Sequence, residues 1–380
     1  MTVIDIPEGL WLGRAWLPQV QGPCVVTLRD GQLVDITNPQ APTVSHVLDM
    51  PDPAHHVRTC PGNTLGALDA IAANLVDPAN LHLLAPCDLQ AVKACGVTFA
   101  RSMVERVIEE KAAGDPARAE AIRARVVQAI GDSLRNLRAG SPEATEVKHA
   151  LQAEGLWSQY LEVGIGPDAE VFSKCPPMAA VGAGAAVGLH PISSWNNPEP
   201  EVVLAVTSGG RIVGATLGND VNLRDVEGRS ALLLGKAKDN NASCAIGPMI
   251  RLFDDGYTLD DVRRAELTLT VEGADGFRMA GHSSMSEISR DPEELVVQTI
   301  GRHHQYPDGF MLFLGTMFAP TEDRDTPGEG FTHKAGDVVT IAAPGLGQLV
   351  NTVRLSTEAP EWTFGTRRLM ANLASRGLLA

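Results

Sequence analysis

The spacing of apolar and polar positions changes character along the chain. Residues 1 to about 88 are rich in Pro and Gly and carry short apolar runs of β type, such as Cys24-Val25-Val26-Thr27-Leu28 ahead of the turn signal Asp30-Gly31. One helix is expected in this part, over Leu65 to Leu75. Residues 98 to 155 read as helical instead. Asp115-Pro116 supplies an N-cap and a proline at the first helical position for a helix reaching about Leu137, and Ser141-Pro142 repeats the device for one ending near Gly155. From about residue 160 strands dominate. Two helices interrupt them, at Thr258 with Asp261 and at Asp291-Pro292-Glu293-Glu294, both with capping-box spacing. The pattern therefore predicts a mainly β chain with some α: a small strand-rich N-terminal domain over 1–88, then a larger domain over 89–380 with a helical insertion near 100–155.

One strand pair carries chemistry. Glu199 to Thr207 reads as a strand, Ser208-Gly209-Gly210 as a turn and Arg211 to Leu217 as the returning strand. Side chains at i and i+2 of a strand share a face, so Glu199 and Glu201 point the same way. The hairpin then returns Asp220 beside them. Three converging carboxylates repel unless a cation lies between them, and oxygen-only ligation favours Mg²⁺, Mn²⁺ or Ca²⁺ over zinc. A bare E-x-E is more often a solvated strand face, so the assignment needs the rest of the chain.

Composition narrows the partners. A formal net charge of −15 over 380 residues argues against a nucleic-acid surface, which needs a basic footprint. Six cysteines without a C-x-x-C pair fit buried thiols in a reducing compartment better than disulfides or a zinc site. No basic stretch followed by an apolar one opens the chain, and no run approaches the roughly 18 apolar residues of a membrane span. The expectation is a soluble cytoplasmic protein with no membrane partner. Gly182, Gly184 and Gly188 imitate a dinucleotide fingerprint, but they follow Cys175-Pro176-Pro177 and run into His190-Pro191, so a loop is expected there.

Taken together, Glu199 and Glu201, Asn219-Asp220-Val221 with Arg224-Asp225, and Lys238 ahead of Ile246-Gly247-Pro248 resemble the fumarylacetoacetate hydrolase superfamily. The likeness runs from about 95 to 355. Within that superfamily the long form, with the stretches 155–174, 304–320 and 328–337, is similar to the 2-keto-3-deoxy-D-pentonate dehydratases. The resemblance implies a mixed β-sandwich roll with a smaller N-terminal domain, assembled as a homodimer or homotetramer. It implies a Mg²⁺-dependent site that dehydrates a 2-keto-3-deoxy sugar acid, the xylonate being the same molecule as the arabinonate, to 2-oxoglutarate semialdehyde.

One departure bears on the reaction. Superfamily members that cleave carbon–carbon bonds carry G-x-N-Y-x-x-H-x-x-E, whose His–Glu pair activates water. The matching stretch here, Gly96 to Glu105, keeps Glu105 but places Ser102 where the histidine belongs. A hydroxyl accepts no proton near neutral pH without a base beside it, so a reaction that consumes no water is expected. Lys238 is the first candidate for carrying a proton, because a neighbouring dication favours its neutral form. Glu105 and Glu170 are candidate acid–base groups. Arg101, Ser102, Arg290 and Thr316 are candidates for holding the carboxylate and hydroxyls of the substrate. His190, His282, His303, His304 and His333 read as packing or surface residues. Two alternatives stay open: a hydrolase of a 2,4-diketo acid, and a sugar-acid-binding protein without chemistry.

Overall fold

A computed structural model describes the whole chain except residues 1–3, 73–76, 120–121, 124–133, 135–136, 154, 319, 329 and 380. Its strands are β1 (Trp11–Leu17), β2 (Gly22–Arg29), β3 (Gln32–Asp35), β4 (Asn63–Ala67), β5 (His82–Leu84), β6 (Ala91–Cys95), β7 (Val171–Cys175) and β8 (Ala186–Leu189). They continue with β9 (Pro200–Val206), β10 (Ile212–Asp220), β11 (Cys244–Leu252), β12 (Glu266–Glu272), β13 (Arg278–Ser284), β14 (Phe310–Phe313), β15 (Val338–Ala343) and β16 (Gly347–Leu355).

Two sheets face one another. The larger runs β4-β3-β2-β1-β11-β10-β9-β14-β6-β7, with β5 also on β1; the smaller runs β13-β12-β15-β16-β8. The alternation Glu266-Leu267-Thr268-Leu269 in β12 turns its leucines inward and its polar residues out, the mark of a strand covered on one face. β9 is buried along its whole length. Its Val202, Leu204 and Val206 face the core shared with the smaller sheet, where Leu267, Leu269, Val339 and Ile341 meet them. Its Val203 and Ala205 face a second core, closed by Val44, Val47, Leu48 and Val57 from two short helices. The hairpin that carries the acids is thus held from both sides.

The first 88 residues extend the larger sheet. β1 pairs antiparallel with β11, Trp11 opposite Arg251 and Leu12 opposite Ile250, so hydrogen bonding is continuous across that sequence boundary. The helix expected over Leu65–Leu75 gives way to β4, which pairs with β3; a helix begins only at Leu68, and part of the span lies outside the described residues. A third apolar cluster packs the helix Ala100–Ala112 against Gln159–Ile165 through Met103, Val107, Leu161 and Ile165. The helix from Pro142 ends at Ala153 as the sequence suggests. The helix opening at Asp115-Pro116 starts in place, and most of its run to Leu137 lies outside the described residues. The glycine run opens no helix; Gly188 instead lies in β8, a strand the loop reading missed. Thr258 and Asp261 form a capping box, whereas Asp291 caps Glu293 and leaves Glu294 to Arg290. Among the described residues no helix is long and apolar enough to cross a membrane.

Candidate metal centre

β9 and β10 pair with Glu201 opposite Gly218 and Asn219 opposite Pro200, and the Asp220 amide donates to the Glu199 carbonyl at 3.1 Å. This register carries Asp220 back to Glu199, and oxygen atoms of Glu199, Glu201 and Asp220 lie within 4.8 Å of one another, all three residues buried. Gly218 has to be glycine here. A Cβ would meet Phe313 at 2.2 Å and Val203 at 2.5 Å, displacing the strand that supports Glu201.

Each carboxylate is held differently. Glu199 Oε2 accepts from Lys238 Nζ at 2.5 Å, while its Oε1 pairs with Arg106 Nη2. Asp220 lies between two ammonium groups, Lys174 at 2.8 Å on Oδ1 and Lys238 at 3.1 Å on Oδ2. Burial alone would raise the Asp220 pKa, but the two lysines outweigh it and hold the carboxyl below its usual value. Glu201 makes no direct ion pair among the described residues, though the Lys238 charge acts on it from a distance. It accepts only from the Gly315 amide at 2.7 Å and Thr316 Oγ1 at 3.2 Å. Gly315 presents that amide from φ +101°, and a Cβ there would meet Thr98 Oγ1 at 2.1 Å. Burial, then the charges of Asp220 and Glu199, push the Glu201 carboxyl well up.

The donor set fits a hard divalent cation. Glu199, Glu201 and Asp220 bring three buried carboxyls to one point, the oxygen donors a hard cation prefers. A Mg²⁺ on their oxygens would offset the buried Glu201 anion that two neutral donors leave costly.

Beside the cluster is a cavity of about 20 Å³, room for little more than one water, lined in part by Ser102, Arg106, Glu170, Glu227, Lys238 and Thr316. Lys238 ends the short helix Leu234–Lys238, whose last carbonyl accepts from Ser243 and from Lys174. Burial works against its ammonium, but Asp220, Glu199 and Glu227 prevail and push its pKa up. Only a competing cation in the cluster would favour the neutral amine that the sequence reading envisaged. Glu170 stands immediately ahead of β7 and is pushed up to about 7, by burial first and then by the charge of Glu227, against Lys238 and Arg106. A carboxyl poised near neutrality can both take and give a proton.

Three sequence candidates lie elsewhere. Arg101 is exposed, because Met103, Val104, Val107 and Ile108 turn the helix the other way into the core. Arg290 is buried but donates to the carbonyls of Val163 at 3.0 Å and Gly166 at 2.6 Å and to Glu294 at 2.9 Å, so it fastens the end of the helix Gln159–Ile165. Glu105 is one residue ahead of Arg106 and turns away to Arg123 and to Arg224, the latter at 3.4 Å. Ser102 does reach the cavity, with its hydroxyl donated to the Thr316 carbonyl. His333 is buried on Asp337, away from the cluster.

The sequence reading passed over Lys174, Arg106 and Glu227. Lys174 was legible: Phe172 and Lys174 share one face of β7, and Glu170 is on the same two-residue spacing. Arg106 and Glu109 follow Ser102 at helical spacing on one face, a polar stripe on an otherwise apolar segment. Glu227, in the short helix Arg224–Glu227, left no comparable signal.

Comparison with known proteins agrees with the motifs. Residues 167–354 match the family model described as fumarylacetoacetate (FAA) hydrolase C-terminal. That span carries the carboxylate cluster, Glu170, Lys174, Lys238 and Thr316, but not the helix of Ser102 and Arg106. Among curated relatives, a probable 2-keto-3-deoxyxylonate dehydratase of Haloferax volcanii is 34% identical over 194 residues, covering 51% of this chain and 63% of that one. A 2-dehydro-3-deoxy-D-arabinonate dehydratase of Saccharolobus solfataricus is 31% identical over 188 residues, 49% of this chain and 58% of that one. The chain thus spans about three fifths of the length of the curated relatives it matches. The solved structure of a 2-keto-3-deoxy-D-arabinonate dehydratase complexed with magnesium and 2,5-dioxopentanoate superposes with a TM-score of 0.61 at 21% identity, covering 90% of this chain and 98% of that one. The fold is therefore the fumarylacetoacetate hydrolase-like arrangement that the motifs implied.

Proposed function

We propose that the chain is a metal-dependent hydro-lyase that dehydrates 2-keto-3-deoxy-D-pentonate, the xylonate or arabinonate, to 2-oxoglutarate semialdehyde in non-phosphorylative pentose catabolism. The observation that carries the reading is one cavity wall holding Glu170, with a carboxyl near neutrality, and Lys238, beside a buried cluster of three carboxylates. Both named relatives are dehydratases of such acids, and the superposed enzyme was solved with magnesium and 2,5-dioxopentanoate, the product expected here.

The residues divide the work. Glu199, Glu201 and Asp220 would hold Mg²⁺, or Mn²⁺ or Ca²⁺, whose bound form supplies Lewis-acid polarisation of the 2-keto group, worth several kcal/mol. Glu170 takes the C3 proton, and Lys238 balances the charge that develops and supplies the proton with which the C4 hydroxyl leaves as water. The unsaturated keto acid then tautomerises through C5 to the semialdehyde. Ser102, with its hydroxyl occupied by the Thr316 carbonyl, gives no means of activating water for carbon–carbon cleavage. A cytoplasmic homodimer or homotetramer belongs to the same proposal.

The test is incubation of the Mg²⁺-loaded protein with 2-keto-3-deoxy-D-xylonate. Semialdehyde should form, and deuterium should enter C3 in D₂O. Faster cleavage of a 2,4-diketo acid would make it a hydrolase, and binding without turnover a sugar-acid-binding protein; either result would overturn the reading.

A further inference from the structure

Arg106 has no task in the reaction just described, yet it lines the cavity. Its guanidinium is a fork with one arm anchored. Nη1 donates to Glu109 Oε2 at 2.5 Å and lies 3.4 Å from Glu227 Oε2, while Glu109 is gripped from its other oxygen by Arg224 Nε at 2.6 Å. Arg224 in turn lies 4.6 Å over the Trp195 ring. The second arm, Nη2, pairs with Glu199, a member of the carboxylate cluster. A cation held by Glu199 would compete with this arm for the carboxylate and so would free it to donate, with the guanidinium still charged and still oriented by Glu109.

We infer that Arg106 binds the carboxylate of the substrate and so restricts the site to 2-keto acids, an inference that rests on the proposed function. The geometry leaves few rivals. Arg101 is exposed and Arg290 is committed to backbone carbonyls. Among the described residues the other cation lining the cavity is Lys238, a compact charge shared between Glu199 and Asp220. A planar fork with a fixed arm suits a carboxylate better than a shared ammonium does. Arg106 also neutralises Glu109, Glu199 and Glu227, and a purely structural role of that kind would affect charged and neutral ligands alike.

The experiment uses the full chain loaded with Mg²⁺ and two probes, pyruvate and its uncharged amide pyruvamide, titrated calorimetrically. Against wild type, Arg106→Gln should weaken pyruvate on the order of 10- to 100-fold, as expected for a lost charge-assisted hydrogen bond, and leave pyruvamide unchanged. Arg106→Lys keeps the charge without the fork and should lose an intermediate amount on pyruvate alone; it carries the test if the glutamine variant does not fold. Equal weakening of both probes, or unchanged pyruvate affinity, overturns the inference. Wild type that binds neither probe overturns the proposed function itself, and this inference with it.

Discussion

The hairpin of β9 and β10 and the helix Ala100–Ala112 reach the same cavity by different means. The hairpin delivers its acids through backbone register, fixed by cross-strand hydrogen bonds and by two apolar cores that bury β9 on both faces. The helix delivers Ser102 and Arg106 through side-chain pairs with residues far away in sequence, Glu199, Thr316 and, via Glu109, Arg224. Its own apolar face packs into the third, helical cluster. Backbone register tolerates the loss of one side chain, whereas a web of buried charges does not. Loss of Glu201, the hairpin acid outside that web, should therefore remove chemistry while sparing the fold, and changes in the helix should alter recognition and stability together.

The largest expected effect tests the hairpin half of this contrast. Glu201→Ala removes a proposed metal ligand that has no ammonium partner, so no buried cation is orphaned. It should fold normally, fail to bind Mg²⁺ by calorimetry, and lose at least about 10³-fold in turnover. Full activity in the metal-stripped variant would refute the assignment. Next, Lys238→Met and Glu170→Gln should each cost about 10²–10⁴-fold in turnover. Glu170 also sets a pH signature. Its carboxyl is raised to about 7, so it is protonated below that value, and a base that must be ionised makes the rate fall as pH falls. A bound dication attracts the anion and moves the inflection down from about 7; Glu170→Gln should abolish it.

Lys174→Met sharpens the comparison at the next level. Asp220 keeps Lys238 but loses its other ammonium, and the cost should appear as about 3 kcal/mol of stability in denaturant unfolding, with a smaller loss of rate than at Lys238. The smallest effect is expected at Arg101. Being exposed, Arg101→Ala should stay within about 0.5 kcal/mol of wild type and leave KM unchanged. A raised KM there would return it to the substrate site.

What could be read in the sequence follows the same division. Glu199, Glu201 and Asp220 were legible because strand period and turn position determine where oxygens go. The turn Ser208-Gly209-Gly210 falls between the two strands as read, and β10 runs only three residues beyond Leu217, to Asp220 itself. Lys238 came from its motif. Arg101, Glu105 and Arg290 were misplaced because an ionic side chain's direction depends on which distant partner it finds. Glu105 met Arg224, Arg290 met the carbonyls of Val163 and Gly166, and no local pattern encodes either choice. The helix expected over Leu65–Leu75 begins late, at Leu68, for a related reason: β3 offered an unpaired edge, and Asn63–Ala67 took it.

The pairing of β1 with β11 has a practical consequence for anyone dissecting the chain. Cut away the first 88 residues and β11 is left as an open margin, with Met249 buried in one core and Ile250 and Leu252 in the other. An unprotected, largely apolar strand margin recruits other chains. A fragment starting at residue 89 would keep every residue assigned here to the chemistry, and its yield would be limited by clumping rather than by any fault in the site.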